Sequence, residues 1–402
     1  MIALVSISLL VFIYGVFEKY LHQKKLKSIP IRIHVNGTRG KSTVTRLIAA
    51  GLRAADFKVV AKTTGSAARL IFEDGAETPI KRRGSPNIFE QVKIVSEAAK
   101  RGAQALVIEC MAVHPETQWV SEHSMLKSTI GVITNIRADH LDVMGPTLQD
   151  VALALSGTIP TNGQLVTTDG QFLPVIREVA AERKTTVHIV DADEIAQRCL
   201  PADLSHHFTE NIACALKVCE LLGVDQEVAL RGMSTMTDDP GALKVFVLRY
   251  NEHYVYFVNA FAANDVTSTQ LIFQLCFEMP ELKGLPILAL MNNRFDRQQR
   301  TRELCSLIAT WPELQKLVLV GEASYLAKHL LVKKGFERSR ILDLTRYDAR
   351  QALSRVLNEV SSDTMIFALG NIKGIGWEII DYFEENGELV YDCSSSRHWH
   401  YN

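Results

Sequence analysis

The sequence predicts an α/β protein with two successive domains, each built on a mainly parallel sheet, and an apolar helix in front of them. Short apolar runs alternate with stretches of helical period along most of the chain, the pattern of strands joined by crossover helices. A glycine-rich turn, Gly37-Thr38-Arg39-Gly40-Lys41-Ser42-Thr43, stands between the first such run and the first periodic stretch. The opening segment, residues 1–17, carries no charge and is followed by Lys19, Lys24, Lys25 and Lys27.

Length and charge narrow the class further. At roughly 150 residues per domain, 402 residues allow two or three domains. Lysine plus arginine, 44, nearly balance aspartate plus glutamate, 45, so the chain lacks the basic excess that a phosphate backbone demands, and nucleic acid is not its expected partner. The seven cysteines are scattered, odd in number and without a CxxC pair. That suits neither a secreted disulfide framework nor a zinc ribbon, and indicates a reducing compartment.

Seventeen helical residues at about 1.5 Å each reach roughly 26 Å, the short end of what spans a hydrocarbon core of about 30 Å. The segment has neither the positive n-region nor the small-residue cleavage site of a signal peptide. We therefore read residues 1–27 as a transmembrane anchor, with a buried core helix or interfacial segment as the alternative. The lysines that follow place the remaining chain in the cytoplasm by the positive-inside rule.

Beyond the anchor, Ile31, Ile33 and Val35 alternate as a strand, and Val44, Leu47, Ile48 and Leu52 recur at helical spacing. Further strands are expected at 105–109, 129–135, 165–168 and 186–190, with a long helix over 208–222. At Asp238-Asp239-Pro240-Gly241 the pattern breaks, and proline with glycine marks a linker. This gives a P-loop-containing ATPase domain over 28–240 and a smaller Rossmann-like α/β domain over 241–393. A second βα series is expected in the latter, with strands near 245–248, 254–258, 287–290, 317–320 and 365–369. Residues 394–402 read as a loosely ordered tail, to which His398 and His400 belong.

In the turn, backbone N–H groups of Gly37, Thr38, Arg39 and Gly40 and the helix N-terminus face phosphate. Lys41 reaches the terminal phosphates, Ser42 offers a hydroxyl for magnesium, and Thr43 completes the nucleotide-binding turn. The motif departs from the strict P-loop because Val35, not glycine, lies five residues before Gly40. Two other strands end in polar residues where ligands of open α/β sheets bind. One closes on Glu109; the other ends at Asn135 and continues into Asp139, His140 and Asp142. Carboxylate and imidazole suit magnesium here if phosphate oxygens complete its shell. His207 and Asn211 lie four apart on one helical face, where the Asn211 amide could meet an adenine edge or simply cap a helix.

These pieces, in this order, resemble the Mur ligase superfamily of ATP-dependent amide ligases. The likeness rests on Gly37 to Thr43, Glu109, the N-I-x-x-D-H-L-D stretch from Asn135 to Asp142, the helix with His207, Asn211 and Ala215, and Asn264-Asp265. It implies phosphate binding by Gly37, Gly40 and Lys41, magnesium held through Ser42, Glu109 and His140, adenine met by Asn211, and ribose contacted by Asp265. The loop begins too early for a preceding nucleotide-sugar domain, and a soluble folate enzyme would not need the apolar opening. Within the superfamily the chain is similar to the membrane-associated ligase subunits of poly-γ-glutamate (capsule) synthase, through KSTVTRL, ECMAV, DVMGPTL, DPGA, FAAND and GNI-G. One departure stands out: many Mur ligases have a carbamoylated lysine about fifteen residues after the histidine, where this chain has Leu155 and no lysine from Arg137 to Lys184.

The resemblance implies polymerisation of glutamate through γ-carboxyl linkages. ATP and magnesium would form an acyl phosphate that an incoming amine attacks, releasing ADP and phosphate, with Lys41, His140 and Glu109 as catalytic groups. Asp139 and Asp142 are candidate bases. For the polyanionic product, Lys62, Arg69, Lys81, Arg82, Arg83, Arg294 and Arg297 are candidate carboxylate contacts. Other membrane subunits of a polymer synthase are implied as partners, and a homo-oligomer remains open. The alternatives are another amino-acid-adding ligase, such as a folylpolyglutamate-type enzyme, and a membrane-anchored P-loop regulatory ATPase or kinase. The latter would favour a strand-ending aspartate where Glu109 stands and a clustered tyrosine tail, whereas Tyr382, Tyr391 and Tyr401 are dispersed.

Overall fold

A computed structural model describes residues 2–65, 67–82, 86–192, 209–237, 239, 242–263 and 265–392. The chain divides into two compact units, Met1–Asp239 and Pro240–Asn402.

The first unit begins with α1 (Ile2–Lys27), one unbroken helix. Leu9, Leu10, Val11 and Phe12 point in four directions around its axis, and all are exposed. The helix is long and apolar enough to cross a membrane. Its last two turns behave differently. His22 Nε2 donates to the Met125 carbonyl at 2.7 Å and Lys127 Nζ to Gln23 Oε1 at 3.0 Å. Leu26 and Ile29 join a buried cluster with Val60, Ile94, Leu106 and Leu126. The Arg32 guanidinium, bonded to the carbonyls of Leu26 and Ile29, fixes the exit into the first strand.

Eight strands follow: β1 (Ile31–Asn36), β2 (Val59–Thr63), β3 (Arg69–Ile71), β4 (Glu77–Pro79), β5 (Ala105–Glu109), β6 (Ile130–Ile133), β7 (Gln164–Thr167) and β8 (Thr186–Ile189). Their order in the sheet is β4-β3-β2-β5-β1-β6-β7-β8. All pairings are parallel except those of β3 and β4, which extend the edge antiparallel. Because β1 lies between β5 and β6, its carboxyl end opens at a point where the strand order reverses, the place where such sheets bind ligands. The helix entered there, α2 (Lys41–Ala54), buries Val44, Leu47, Ile48 and Leu52 against the sheet and against the helix Thr209–Leu221.

The second unit has β9 (Lys244–Tyr250), β10 (His253–Asn259), β11 (Ile287–Asn293), β12 (Leu314–Gly321), β13 (Ile341–Asp343), β14 (Thr364–Gly370) and β15 (Glu388–Asp392), in the order β13-β12-β11-β14-β10-β9-β15. Five of these strands form a parallel sheet with a core on each face. Residues 245–258, expected to open a βα series, instead make an antiparallel hairpin. Only Asn251 and Glu252 separate its strands, and Asn251 takes the left-handed φ of 55° that such a turn requires. Strands alone do not reveal whether the next strand pairs directly or after a crossover; the short polar turn was the signal.

Leu26→Ala should cost the folded protein about 2–4 kcal/mol while leaving the exposed part of α1 unchanged. The check is the thermal midpoint of the detergent-solubilised chain, together with its recovery in the membrane fraction.

Candidate active site

The turn after β1 is built around two glycines that a side chain could not replace. Gly37 has φ 132°, and a Cβ there would stand 2.0 Å from Thr134 Oγ1; Gly40 has φ 80°, and a Cβ would stand 2.2 Å from Asn211 Oδ1. Left-handed backbone at these positions turns the N–H groups toward the helix start. The end of β6 cradles the turn. Thr38 Oγ1 and the Arg39 N–H both donate to Asn135 Oδ1, at 2.6 and 3.1 Å, and the Arg39 carbonyl accepts from Thr134 Oγ1 and Asn135 Nδ2.

Lys41, at the first position of α2, folds back so that Nζ donates to the carbonyls of Gly37 at 2.6 Å and Thr38 at 3.1 Å. Burial lowers its pKa, and Glu109 and Asp139 oppose that shift. Ser42 Oγ donates to Glu109 Oε2 at 2.8 Å, and the Thr64 N–H donates to the same oxygen at 2.5 Å. The end of β5 and the loop after β2 thus meet the start of α2 at one carboxylate. On the other side of the turn, Arg39 pairs with Asp139 at 3.5 Å, and Asp139 lies 3.9 Å from His140 Nε2. His140 has a left-handed φ of 48° and starts the short helix Leu141–Met144. Asp142, on that helix, is exposed.

The structure therefore joins Ser42 to Glu109, and His140 to Asp139 and Arg39. Among the described residues no three His, Cys, Asp or Glu side chains gather into a protein metal cage. Asn211 is buried with its amide against Gly40. Leu155, at the place of the absent lysine, lies in an apolar cluster with Ile133, Val151 and Ile159. Asp265 belongs to the second unit, where it caps the helix Val266–Glu278 by accepting from the Ser268 N–H. Arg294 pairs with Asp296, and Arg297 sits at the end of the same 3-10 turn. Arg83, His207 and Asn264 fall outside the described residues.

Of the basic residues considered for substrate, Lys62 is fully buried and Arg82 partly so. Glu90 takes both, accepting from Arg82 at 2.7 and 3.0 Å and pairing with Lys62 at 3.1 Å. Burial lowers the Lys62 pKa against the opposing charge of Glu90. The sequence offered no sign of this pairing, because the three residues come from separate segments.

One layer below the turn, His34 of β1 is wholly buried, with Nδ1 2.8 Å from Glu122 Oε2. The other oxygen of Glu122 accepts from the Ser128 N–H and hydroxyl. Glu122 stands in a π-helical turn, Ser121–Leu126. Burial by itself lowers the imidazole pKa, but Cys110 and Glu122 outweigh it and raise the value from 6.5 to about 9. The remaining described cysteines are free and buried, and burial pushes Cys214, Cys219, Cys276 and Cys305 up to about 12.

The fold and this site define a Mur-type ATP-dependent amide ligase, and the comparisons with known proteins agree. Residues 35–221 match the Mur ligase middle domain, and residues 245–386 match the poly-gamma-glutamate synthase CapB C-terminal domain. The chain belongs to the CapB poly-γ-glutamate synthase family. It is 40% identical over 376 residues to the capsule biosynthesis protein CapB of Bacillus anthracis, covering 93% of this chain and 80% of that protein. To the PGA synthase CapB of Bacillus subtilis it is 38% identical over 381 residues, covering 93% and 95%. Among solved structures it is similar to the bifunctional folylpolyglutamate synthase/dihydrofolate synthase of Yersinia pestis complexed with AMPPNP and a Mn ion. There the TM-score is 0.67 at 14% identity, over 90% of this chain and 92% of that one.

Because the folded His34 pKa lies above its ordinary value, its contribution to stability is complete below pH 6.5 and disappears as pH rises through about 9. The thermal midpoint should fall across that window by the equivalent of at most about 3 kcal/mol, and His34→Gln should flatten the fall. An unchanged slope in the variant would assign the pH dependence to other groups.

Proposed function

We propose that this protein joins glutamate units through their γ-carboxyl groups, activating a terminal carboxylate with ATP. The observation that carries the reading is the Ser42–Glu109 contact at the mouth of the Gly37–Gly40 turn, in a chain with both domains of the poly-γ-glutamate synthases.

Gly37, Thr38, Arg39, Gly40 and the start of α2 present N–H groups to the β and γ phosphates. Lys41 leaves the two loop carbonyls that hold it and meets the transferring phosphoryl group, where its charge stabilises the transition state. The donor set suits magnesium: Ser42 and Glu109 offer hard oxygen ligands and leave room for phosphate oxygens and water. When bound with the nucleotide, the metal neutralises phosphate charge. His140, with Asp139 beside it at 3.9 Å, would supply a further protein contact to the metal. Asn211 meets adenine and Asp265 the ribose. A grip on the β and γ phosphates favours attack at the γ position, so the carboxylate takes the γ-phosphoryl group as ADP leaves, and the next glutamate amine attacks the acyl phosphate to form the amide, expelling inorganic phosphate and losing a proton. Arg82, Arg83, Arg294 and Arg297 supply carboxylate contacts for the growing chain. The exposed part of α1 crosses the membrane and leaves both catalytic units on the cytoplasmic side, beside partners that carry the polymer out.

Lys41→Ala should reduce ATP turnover more than tenfold, a barrier increase above about 1.4 kcal/mol, with an unchanged circular dichroism spectrum. Retained turnover would remove Lys41 from phosphate binding. With a glutamate oligomer as acceptor, hydroxylamine should trap a hydroxamate while labelled γ-phosphate appears as inorganic phosphate. Release of AMP and pyrophosphate in step with glutamate consumption would establish an adenylate instead.

A further inference from the structure

The first unit ends on a segment that runs back along α2 toward the phosphate turn. Arg46 lies four residues after Ser42 on that helix, hence on the same face. Its guanidinium is gripped by both Glu77 oxygens and also donates to the Thr237 carbonyl at 2.9 Å. Arg46 is almost completely buried, so it fixes the departing chain from inside the unit rather than from its surface. Two residues later stands Asp239, the last residue of the unit.

The position of Asp239 is recorded by the glycine it faces. A Cβ on Gly65 would stand 2.5 Å from Asp239 Oδ2 and 2.5 Å from Ser42 Oγ. The carboxylate and the hydroxyl thus flank one bare backbone position, and a methyl group placed there would collide with both. Gly65 follows Thr64, whose N–H donates to Glu109 Oε2, the oxygen that also accepts from Ser42. One short stretch of loop therefore brings together a hydroxyl oxygen and two carboxylates, from the start of α2, the end of β5 and the end of the unit. These are oxygen donors only, the type magnesium prefers, at the helix start where nucleotide phosphates bind.

The geometry points to Asp239 as a further carboxylate of the magnesium–nucleotide site, supplied by the linker that leads to the second unit. The inference rests on the magnesium–ATP reading given above and adds a consequence to it. Filling the phosphate site would fix the point from which the second unit's chain departs, so that nucleotide binding and linker order become one event.

The experiment is a magnesium titration of the binding of a fluorescent ATP analogue to the full-length, detergent-solubilised protein. It compares the parent with Asp239→Asn and Glu109→Gln, and each is repeated in EDTA. Hydrogen exchange at 235–239 is followed with and without the magnesium nucleotide. Asp239→Asn should raise the magnesium concentration for half-maximal binding about tenfold, leave binding in EDTA unchanged, and abolish nucleotide-induced protection of the linker. If Glu109→Gln shifts the titration and Asp239→Asn does not, Asp239 is no part of the site, while the magnesium reading stands. Equal weakening with and without magnesium would reduce Asp239 to a structural contact and overturn the proposal. Binding by the parent that ignores magnesium altogether would overturn both readings.

Discussion

The turn between β1 and α2 has no room for a side chain at Gly37 or Gly40, and the rest of the first unit is arranged to keep it so. Thr134 occupies the space beside one glycine and Asn211 the space beside the other. These neighbours come from the end of β6 and from a helix packed on α2, so the turn closes only when the parallel sheet and its helical layer have assembled. The same assembly brings Glu109 to Ser42, because β5 pairs with β1 in a register that sets Val35 opposite Glu109. The shape of the turn is thereby a consequence of strand order. It is not the property of a short motif alone.

Beneath the turn, the protein accepts buried polar groups in place of a uniformly apolar layer. Asn36 donates to Gln118 and Thr158, Gln91 accepts from Ser121, and His34 holds Glu122. Apart from the Asn36–Thr158 bond, each pair links β1 or α3 (Glu90–Lys100) to the segment 115–126, and directional polar contacts of this kind fix one arrangement more sharply than interchangeable apolar packing does. The cost is exposure to protonation changes that an apolar core would not feel.

Most of the scaffold was legible in the sequence because its parallel strands are buried on both faces and read as continuous apolar runs. The run at 105–109 is wholly buried, and its terminal Glu109 accepts from Ser42. β2 escaped notice because Lys62 interrupts its pattern, and a lysine reads as surface until Glu90 is known to lie beside it. Arg46 is likewise a charge held in the interior, its partners being Glu77 and the carbonyl of Thr237. The glycine turn, Glu109 and Asn135 could be placed from their positions at strand ends. The meeting of Asp239 with Gly65 could not, since it depends on where a linker returns after about 170 residues of intervening chain. Charge in a core is therefore the feature that sequence periodicity handles worst.

The seating of α1 has a mechanical corollary. In a bilayer, a helix whose final two turns are hydrogen-bonded and packed into the sheet's own core would act as a mast rather than a tether. With a bilayer around its exposed length, the first unit could not swivel freely beneath the membrane, and would keep one face and one height toward it. Successive additions would then start from the same place relative to the lipid surface.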